Sequence, residues 1–295
     1  MIWQEESDLE LQPLSKLLSE AQKGGYAVGS FDCFNAETMQ AVVEAAVEMR
    51  SPAILMAAPM EIAYMGPRLY AAIARELAKW ADVPLCLHLD HTRTVEELIP
   101  HLEAGFTSVM LDGSLLPFEE NVRLTREAVQ LARRFGASCE GELGAVGHVS
   151  KETIEVEGGS EESRRAKFTN PDEARLFVEQ TGVDALAVYI GNAHGIYRAR
   201  PKLDFELLAQ LSEAAKAPLV LHGGSGTPEE DLKRAVQLGI RKVNVASELA
   251  KAVTAELTST DSKVFWPPLR YAAAKAAVKA VAAEWMKRLG SAGKV

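Results

Sequence analysis

The chain has 295 residues, of which 47% are hydrophobic and 25% are charged. These proportions are typical of a globular protein with one large core. A formal net charge of −9 argues against nucleic acid or an anionic membrane as a partner. No apolar run is long enough to span a bilayer, the first eleven residues do not resemble a signal peptide, and the three cysteines have no paired or metal-binding spacing. We therefore expect a cytoplasmic protein.

Segments with the pattern of a β-strand alternate with helical segments along the chain. This alternation predicts a parallel sheet whose strands are joined by crossover helices. The eight predicted strands are residues 26–31, 53–58, 85–90, 108–112, 138–143, 184–190, 219–221 and 242–245. We therefore expect an α/β fold, a (β/α)8 TIM barrel formed as a single domain over residues 1–295, with a C-terminal helical extension after Phe265.

The third predicted strand carries more polar groups than an ordinary core tolerates. Three leucines alternate there with Cys86, His88 and Asp90, and His91 follows where the strand is expected to end. A period of two places the polar side chains on one face. Catalytic groups of such barrels lie at the carboxyl ends of the strands. Asp90 and His91 are therefore candidate site residues, whereas His88, one layer deeper, is expected to orient or pack.

Three histidines, His91, His194 and His222, each follow the carboxyl end of a different predicted strand. These ends converge at one mouth of a barrel, and three neutral imidazoles with an open fourth position are typical of a catalytic zinc site. Asp90 and Glu142 are expected at the same depth, which favours a bound metal over three unrelated structural histidines.

The fifth predicted strand carries two carboxylates, Glu140 and Glu142, on one face. Buried carboxylates are costly unless they meet a cation, a donor or a proton. For Glu140, a functional role and a structural bond to the backbone or a lysine are equally compatible with the pattern.

Two loops have a composition that suits an anion. Residues 223–226 (Gly-Gly-Ser-Gly) lie between the seventh predicted strand and a helix, and residues 244–247 (Asn-Val-Ala-Ser) follow the eighth strand. Backbone N–H groups and the helix dipole favour an anion at a helix N-terminus, and phosphate sites built from these two loops recur in TIM barrels. The candidate residues are Gly223, Gly224, Ser225, Asn244, Ala246 and Ser247.

Several motifs together resemble those of the class II, metal-dependent aldolases of the fructose-bisphosphate and tagatose-bisphosphate type. The motifs are His88-Leu89-Asp90-His91, Asp112-Gly113-Ser114, Glu140-Gly141-Glu142-Leu143-Gly144, Ala193-His194-Gly195, Leu221-His222-Gly223 and Lys242-Val243-Asn244-Val245-Ala246-Ser247-Glu248-Leu249. The resemblance covers nearly the whole chain, from Phe31 to Lys294.

The resemblance implies reversible cleavage of a ketose 1-phosphate or 1,6-bisphosphate to dihydroxyacetone phosphate and an aldehyde. It implies zinc or another divalent metal, bound by His91, His194 and His222 with Glu142 as a second-position contact, and Asp90 as the acid/base. It also implies a monovalent cation near the phosphate and a homodimer or homotetramer. The residues that it implies around the phosphate are Gly195, Gly223, Ser225, Asn244 and Ser247.

Several positions depart from the family pattern. Asp32 stands where the family has a substrate-contacting asparagine, Ala58 replaces a serine or threonine, and Pro268 replaces an arginine. Because the hydroxyl and the arginine belong to the family's pocket for the distal phosphate, we expect the aldehyde half of the site to be altered. Arg270 is an alternative cation if the alignment shifts by two residues.

Residues 144–168 contain four glycines and many charges with almost no periodicity, which predicts a long mobile loop over the site. In this loop Ser150 replaces the acid that the family is thought to use on the nucleophilic carbon, and Glu152 is the nearest substitute.

Two other functions are compatible with the sequence. A Schiff-base aldolase on the same fold would use Lys242. A non-catalytic aldolase-like subunit or chaperone that binds sugar phosphate and metal would explain the missing loop acid but not the presence of Asp90. A metal-dependent hydrolase is disfavoured by the two phosphate loops.

Overall fold

The computed structural model describes residues 10–144, 168–193, 195, 201–259 and 265–295. Eight parallel strands close into a barrel in chain order, with β8 paired to β1, so the sheet has no free edge. This architecture confirms the predicted TIM barrel. The strands are β1 (Val28–Asp32), β2 (Ala53–Ala57), β3 (Leu85–Thr92), β4 (Ser108–Leu111), β5 (Ser138–Leu143), β6 (Ala185–Val188), β7 (Leu219–Leu221) and β8 (Ile240–Val245).

Helices precede the barrel, connect its strands and follow it. Within the described ranges they are α1 (Leu14–Gly24), α2 (Ala36–Met49), α3 (Pro59–Met65), α4 (Pro67–Ala78), α5 (Val95–Ala104), α6 (Phe118–Arg134), α7 (Pro171–Thr181), α8 (Phe205–Ala215), α9 (Glu229–Gln237), α10 (Ser247–Ser259) and α11 (Pro267–Arg288). Local chemistry explains where they begin: Asn35 accepts the Thr38 N–H at the start of α2, and Asn170 accepts two N–H groups at the start of α7. None of these helices is long and apolar enough to cross a membrane.

The barrel has two separate apolar cores. The larger core lies between the outward faces of the strands and the surrounding helices. The smaller one joins Leu14, Leu17 and Leu18 of α1 to inward-facing residues such as Val28 and Ile54. The Ser15 N–H also donates to the Ser138 hydroxyl at 3.0 Å. Helix α1 therefore closes the amino-terminal end of the barrel.

The barrel interior becomes polar toward the opposite end. Because side chains alternate along a strand, the layer above the apolar one contains Ser30, His88, Glu140 and Lys242, all with no exposed surface. The next layer contains the candidate site residues. The polar groups are thus separated from the closed end and face the mouth.

The C-terminal extension is a single long helix on the outside of the barrel. Helix α11 packs against α2 and α10, and Lys275 Nζ lies 2.7 Å from Glu44 Oε1 of α2. Beyond α11, the Gly293 N–H donates to the Met49 carbonyl at 2.8 Å. The chain end is therefore fixed against α2.

Candidate active site

A bulge in β3 turns two consecutive side chains toward the same site. The strand extends to Thr92, two residues beyond the end expected from the sequence, with a register shift between Leu89 and Thr92. His91 within the bulge has a φ of 49°, in the left-handed region. In a regular strand, Asp90 and His91 would face opposite sides. The bulge instead lets both contact the interior of the mouth.

The ring of His91 is held by Asp112, a residue to which the sequence analysis gave no role. His91 Nδ1 lies 3.1 Å from Asp112 Oδ2, and the Ser114 hydroxyl donates to Asp112 Oδ1 at 2.6 Å. Burial alone would raise the pKa of Asp112, but the bonds from His91 and Ser114 hold it well below its ordinary value. An ionised Asp112 only accepts, so Nδ1 carries the proton and Nε2 faces the centre of the site.

The ring of His222 is oriented from the opposite side by Glu140. His222 Nε2 lies 2.8 Å from Glu140 Oε1, which leaves Nδ1 facing Glu142 Oε2 at 3.5 Å. The ring centroids of His91 and His222 are 4.7 Å apart. The two histidines therefore present one ring nitrogen each to a common space, and a carboxylate fixes each ring.

Three residues assigned roles from the sequence lie outside the described residues. They are the third candidate ligand, His194, and the loop positions Ser150 and Glu152. Their predicted roles remain predictions, as does the mobility of the loop that contains the last two. Gly195, next to His194, is described and lines the mouth.

Glu140 forms an ion pair beneath the two histidines. Lys242 Nζ lies 2.9 Å from Glu140 Oε2, and neither side chain is exposed. Burial would raise the pKa of Glu140, but Lys242 and the hydrogen bond from His222 lower it to about 2. Of the two interpretations left open by the sequence, the structure shows a bond to a lysine, and it adds a bond to His222. The Lys242 amine is thus held in an ion pair with a carboxylate. This arrangement does not favour reaction of the amine with a ketone to form a Schiff base.

The neighbouring groups stabilise a positive charge at the centre of the site. Burial would lower the pKa of His91, but Asp90, Asp112 and Glu142 raise it to about 10. Burial, with Asp112 next in importance, raises the pKa of Glu142 well above its ordinary value. Glu142 Oε2 is buried and accepts no hydrogen bond from the described residues. A bound cation would satisfy this oxygen.

The chemistry of this donor set fits a divalent metal. Asp90, His91 and His222 each offer one ligand atom, and these atoms all lie within 4.8 Å of one another. Imidazole nitrogens and carboxylate oxygens are zinc ligands, and two or three histidines are typical of catalytic zinc sites.

Asp90 lies against two other polar side chains, one of which donates a hydrogen bond to it. Asn244 Nδ2 donates to Asp90 Oδ2 at 3.0 Å, and His88 Nε2 lies 3.4 Å from Asp90 Oδ1. His88 Nδ1 in turn lies 2.8 Å from the Ser108 hydroxyl, an orienting arrangement of the kind expected for His88. Burial would raise the pKa of Asp90, but His91 and His222 outweigh it and hold the pKa well below its ordinary value.

A cleft opens above these residues, with a volume of about 500 Å³ including its open mouth. Most of the predicted substrate-binding residues contribute to its wall. The described residues that line it are Asp32, Met56, Ala58, Asp90, His91, Gly195, Gly223, Ser225, Asn244, Ala246 and Ser247.

Gly224 is the predicted substrate-binding residue that does not line the cleft. Its N–H donates to the Asn244 carbonyl at 3.0 Å, and an added Cβ would lie 2.4 Å from Val243 Cγ1. Gly224 therefore lets the loop after β7 pack directly on β8, and the N–H that the sequence assigned to a phosphate is used inside the protein.

The loop after β7 is braced by the C-terminal helix, which the sequence analysis did not reveal. Glu248 at the start of α10 accepts the Gly226 N–H at 2.9 Å and the Trp285 indole N–H at 2.8 Å. Arg288 donates to the Thr227 carbonyl at 2.6 Å. Trp285 and Arg288 belong to α11, so this helix and Glu248 fix the shape of the loop.

The part of the wall formed by β1 and β2 has a different chemistry. Asp32 ends β1, and Ala58 follows β2. Glu61, which the sequence analysis missed, accepts the Ala58 N–H at 3.1 Å in the first turn of α3. Pro268, at the first turn of α11, is exposed and does not line the cleft, and neither does Arg270.

Comparison with known proteins decides the family. The model of the family described as class-II fructose-bisphosphate aldolase matches residues 12–294. The chain belongs to this family. As a class II aldolase it is an enzyme, a carbon–carbon lyase, and aldolases of this class are typically metal dependent. A lysine Schiff base is therefore not the chemistry of its family.

Individual relatives agree with this assignment. The D-tagatose-1,6-bisphosphate aldolase subunit GatY of Klebsiella oxytoca is 48% identical over 233 residues, 79% of this chain and 80% of the relative. The crystal structure of the YdjI aldolase from Escherichia coli K12 is 34% identical with a TM-score of 0.85, over 96% of this chain and 99% of that one. The fructose-bisphosphate aldolase of Campylobacter jejuni, at 22% identity and a TM-score of 0.77 over 96% and 95%, shares the fold.

Proposed function

We propose that this class II aldolase is zinc-dependent and reversibly cleaves a ketose 1-phosphate or 1,6-bisphosphate to dihydroxyacetone phosphate and an aldehyde. The observation that carries this proposal is the convergence of Asp90, His91 and His222, whose ligand atoms lie within 4.8 Å of one another. They lie beside a cleft whose wall includes the two loops predicted to bind phosphate.

The residues proposed to hold the metal are His91 and His222, with His194 as the third ligand and Glu142 as a further contact. The buried Glu142 oxygen and the carboxylates around His91 support a cation at this position. A bound zinc ion would supply a positive charge that stabilises the negative charge left on the substrate when the carbon–carbon bond breaks.

Asp90 is proposed as the acid/base. In the cleavage direction its carboxylate takes the proton from the C4 hydroxyl of the ketose, and in condensation it returns that proton. The lowered pKa keeps Asp90 ionised and therefore able to accept. The bond from Asn244 fixes Oδ2 in position, so the orientation of the carboxylate is set before substrate binds.

The phosphate of dihydroxyacetone phosphate is proposed to bind between the loops after β7 and β8. Ser225 and Ser247 line this part of the cleft, and Ser247 begins the thirteen-residue helix α10. The first-turn N–H groups of a helix and its dipole favour an anion. We place the monovalent cation implied by the family resemblance near this phosphate.

We also propose that the chain forms a homodimer or a homotetramer. Several large apolar side chains are exposed around the start of α11 and on α3, which is typical of a protein interface. They are Met60, Tyr64, Phe265, Trp266 and Leu269. Light scattering of the purified protein at several concentrations would give the oligomeric state, and a monomer throughout would contradict this part.

The main test uses the purified chain by itself, stripped of metal with a chelator. We expect no production of dihydroxyacetone phosphate from fructose or tagatose 1-phosphates or 1,6-bisphosphates until zinc is returned, and one equivalent of zinc per chain by metal analysis. Full activity in chelator would contradict the metal-dependent mechanism.

A non-catalytic subunit is the alternative outcome. The Klebsiella oxytoca relative is described as a subunit, whereas the aligned and ionised Asp90 favours catalysis by this chain. Zinc-loaded chain that turns over none of these substrates alone would support the alternative, and turnover abolished by Asp90→Ala would exclude it.

A further inference from the structure

The part of the cleft formed by β1 and β2 contains a buried carboxyl group without a hydrogen-bond partner at one oxygen. Asp32 is 8% exposed and lines the cleft. Its Oδ1 has no hydrogen-bond partner among the described residues. A buried polar atom of this kind is costly unless a ligand or water satisfies it, so Asp32 is placed to hydrogen-bond a molecule that occupies the cleft.

Glu61 adds a second carboxylate behind Asp32. Its Oε2 accepts the Ala58 N–H at 3.1 Å, so this N–H at the cleft wall is already satisfied within the protein. Burial first, and then Glu61 and Asp90, raise the pKa of Asp32 well above its ordinary value. Glu61 and the ionised Asp90 are therefore close enough to Asp32 to disfavour its ionisation, and further negative charge beside them would be unfavourable.

The described part of the cleft wall offers no positive side chain that could offset these carboxylates. None of the described residues that line the cleft is a lysine or an arginine. Lys242 lies deeper and is paired with Glu140. Among the described residues, a phosphate dianion against Asp32 would thus approach carboxyl groups and would meet no charge-assisted partner of the kind that phosphate sites normally provide.

We propose that Asp32 is a specificity-determining residue that hydrogen-bonds a hydroxyl group of the aldehyde half of the substrate, and that this half carries no phosphate. This inference rests on the proposed function, because it assumes that dihydroxyacetone phosphate occupies the part of the cleft formed by β7 and β8. The substrate class in the cleavage direction is then a ketose 1-phosphate with an uncharged polyhydroxy tail.

The test compares two aldehydes that differ only in the phosphate. The zinc-loaded full-length enzyme is given dihydroxyacetone phosphate with either D-glyceraldehyde or D-glyceraldehyde 3-phosphate, and kcat/KM is measured for each aldehyde. We expect glyceraldehyde to be preferred by at least about tenfold, the size of one lost charge-assisted hydrogen bond. A preference for glyceraldehyde 3-phosphate would overturn the proposal without any variant.

Substitution then assigns the preference to Asp32. Asp32→Asn removes the carboxyl group at almost constant volume and is expected to reduce the preference for glyceraldehyde roughly tenfold, and Glu61→Gln should reduce it less. Glu76→Gln, an exposed carboxylate on α4 paired with Lys79, is the matched control and should leave the preference unchanged. An unchanged preference in folded Asp32→Asn would overturn the role of Asp32.

A separate measurement distinguishes failure of this inference from failure of the proposed function. Exchange of the C3 hydrogen of dihydroxyacetone phosphate with D2O, followed by NMR, requires no aldehyde. Exchange together with a preference for the phosphorylated aldehyde would contradict the inference alone. Absence of exchange in the zinc-loaded enzyme would contradict the proposed function, and this inference with it.

Discussion

The two parts of the cleft wall use different chemistry. The part after β7 and β8 consists of small residues, Gly223, Ser225, Ala246 and Ser247, and of a helix N-terminus. The part at β1 and β2 offers Asp32, with Glu61 behind it. Backbone N–H groups and a helix dipole favour an anion, whereas unpaired carboxyl groups disfavour one. This difference is the basis of our proposal that the substrate carries a phosphate at one end and none at the other.

The two parts are also held in place differently. The β7 loop is fixed from outside the barrel, through Glu248 and Trp285 of the two last helices. In the part of the chain that the structure describes, Asp32 is held by its place on β1, opposite Met56 of β2. A substitution of Asp32 therefore changes the chemistry of the cleft wall without removing an interaction that holds the wall in place. This independence makes the comparison testable by single substitutions.

The largest effect is expected where the two parts meet, at Asp90. Asp90→Asn removes the acid/base but keeps the size of the side chain, and kcat should fall by about a thousandfold, as is typical for loss of a general base. The affinity for dihydroxyacetone phosphate, measured by calorimetry with the zinc-loaded variant, should change little. A kcat within tenfold of the wild type would contradict the role of Asp90.

The next largest effect is expected from Gly224→Ala. The added Cβ would lie 2.4 Å from Val243 Cγ1 and 2.9 Å from the Asn244 carbonyl oxygen, so the β7 loop must move away from β8. We expect inhibition by inorganic phosphate to weaken roughly 10- to 100-fold, since misplacement of about 1 Å is costly at a binding site. Asp32→Asn is the comparison variant and should weaken phosphate inhibition far less. An equal loss of phosphate inhibition in the two variants would mean that the two parts of the cleft wall do not act separately.

Glu142→Gln is expected to weaken zinc binding and to stabilise the metal-free protein. Zinc affinity, measured by competition with a chromophoric chelator, should fall by about 10-fold or more. The metal-free variant should unfold at a higher temperature at pH 7, with a gain of about 1 kcal/mol.

The sign of this stability effect follows from the raised pKa of Glu142. The folded protein keeps the proton at a pH where the unfolded chain has lost it. The free energy of unfolding therefore falls as the pH rises from the ordinary pKa of a glutamate to the raised one. A glutamine side chain does not titrate, so it adds no such pH dependence to the free energy of unfolding. The stability gain of Glu142→Gln should therefore disappear below about pH 4. A gain that is constant with pH would contradict this cause.

The smallest effect is expected from Trp285→Phe. The substitution keeps an aromatic ring in the buried site but removes the N–H that Glu248 accepts. One lost neutral-to-charged hydrogen bond should raise KM for the phosphorylated substrate about 3- to 10-fold, with kcat little changed. Phe177→Leu, in the outer core on α7, would control for a general loss of stability, and it should lower the melting temperature without this change in KM.

Much of the fold could be predicted from the sequence because strand and helix patterns alternate so regularly. All eight strands were predicted, with ends within about two residues of the observed ones. The difference that matters for the site is at the end of β3, which continues through His91 to Thr92. A left-handed φ at a histidine has no reliable sequence signal, since glycine is the usual residue there.

The candidate site was predictable in its residue types but not in its pairings. Asp90, His91 and His222 stood out because strand ends converge. The bonds from His91 to Asp112, from His222 to Glu140 and from Lys242 to Glu140 join different strands, and a local pattern contains no information about such partners. The use of the Gly224 N–H within the protein was not predictable, because a glycine-rich sequence does not show which N–H groups the protein itself bonds. Glu61 was missed because its position resembles an ordinary helix cap.

The closure of the barrel by α1 has a consequence for the order of events at the active site. Because the leucines of this helix seal the far end, the described part of the barrel leaves the mouth as the shared entrance for the proposed zinc ion, for sugar and for chelator. A sugar phosphate bound in the cleft would then cover the route that the described residues leave to His91 and His222, and release of the proposed ion would have to wait until the sugar leaves. We therefore expect saturating substrate analogue to slow metal loss, in proportion to the time that the cleft is occupied.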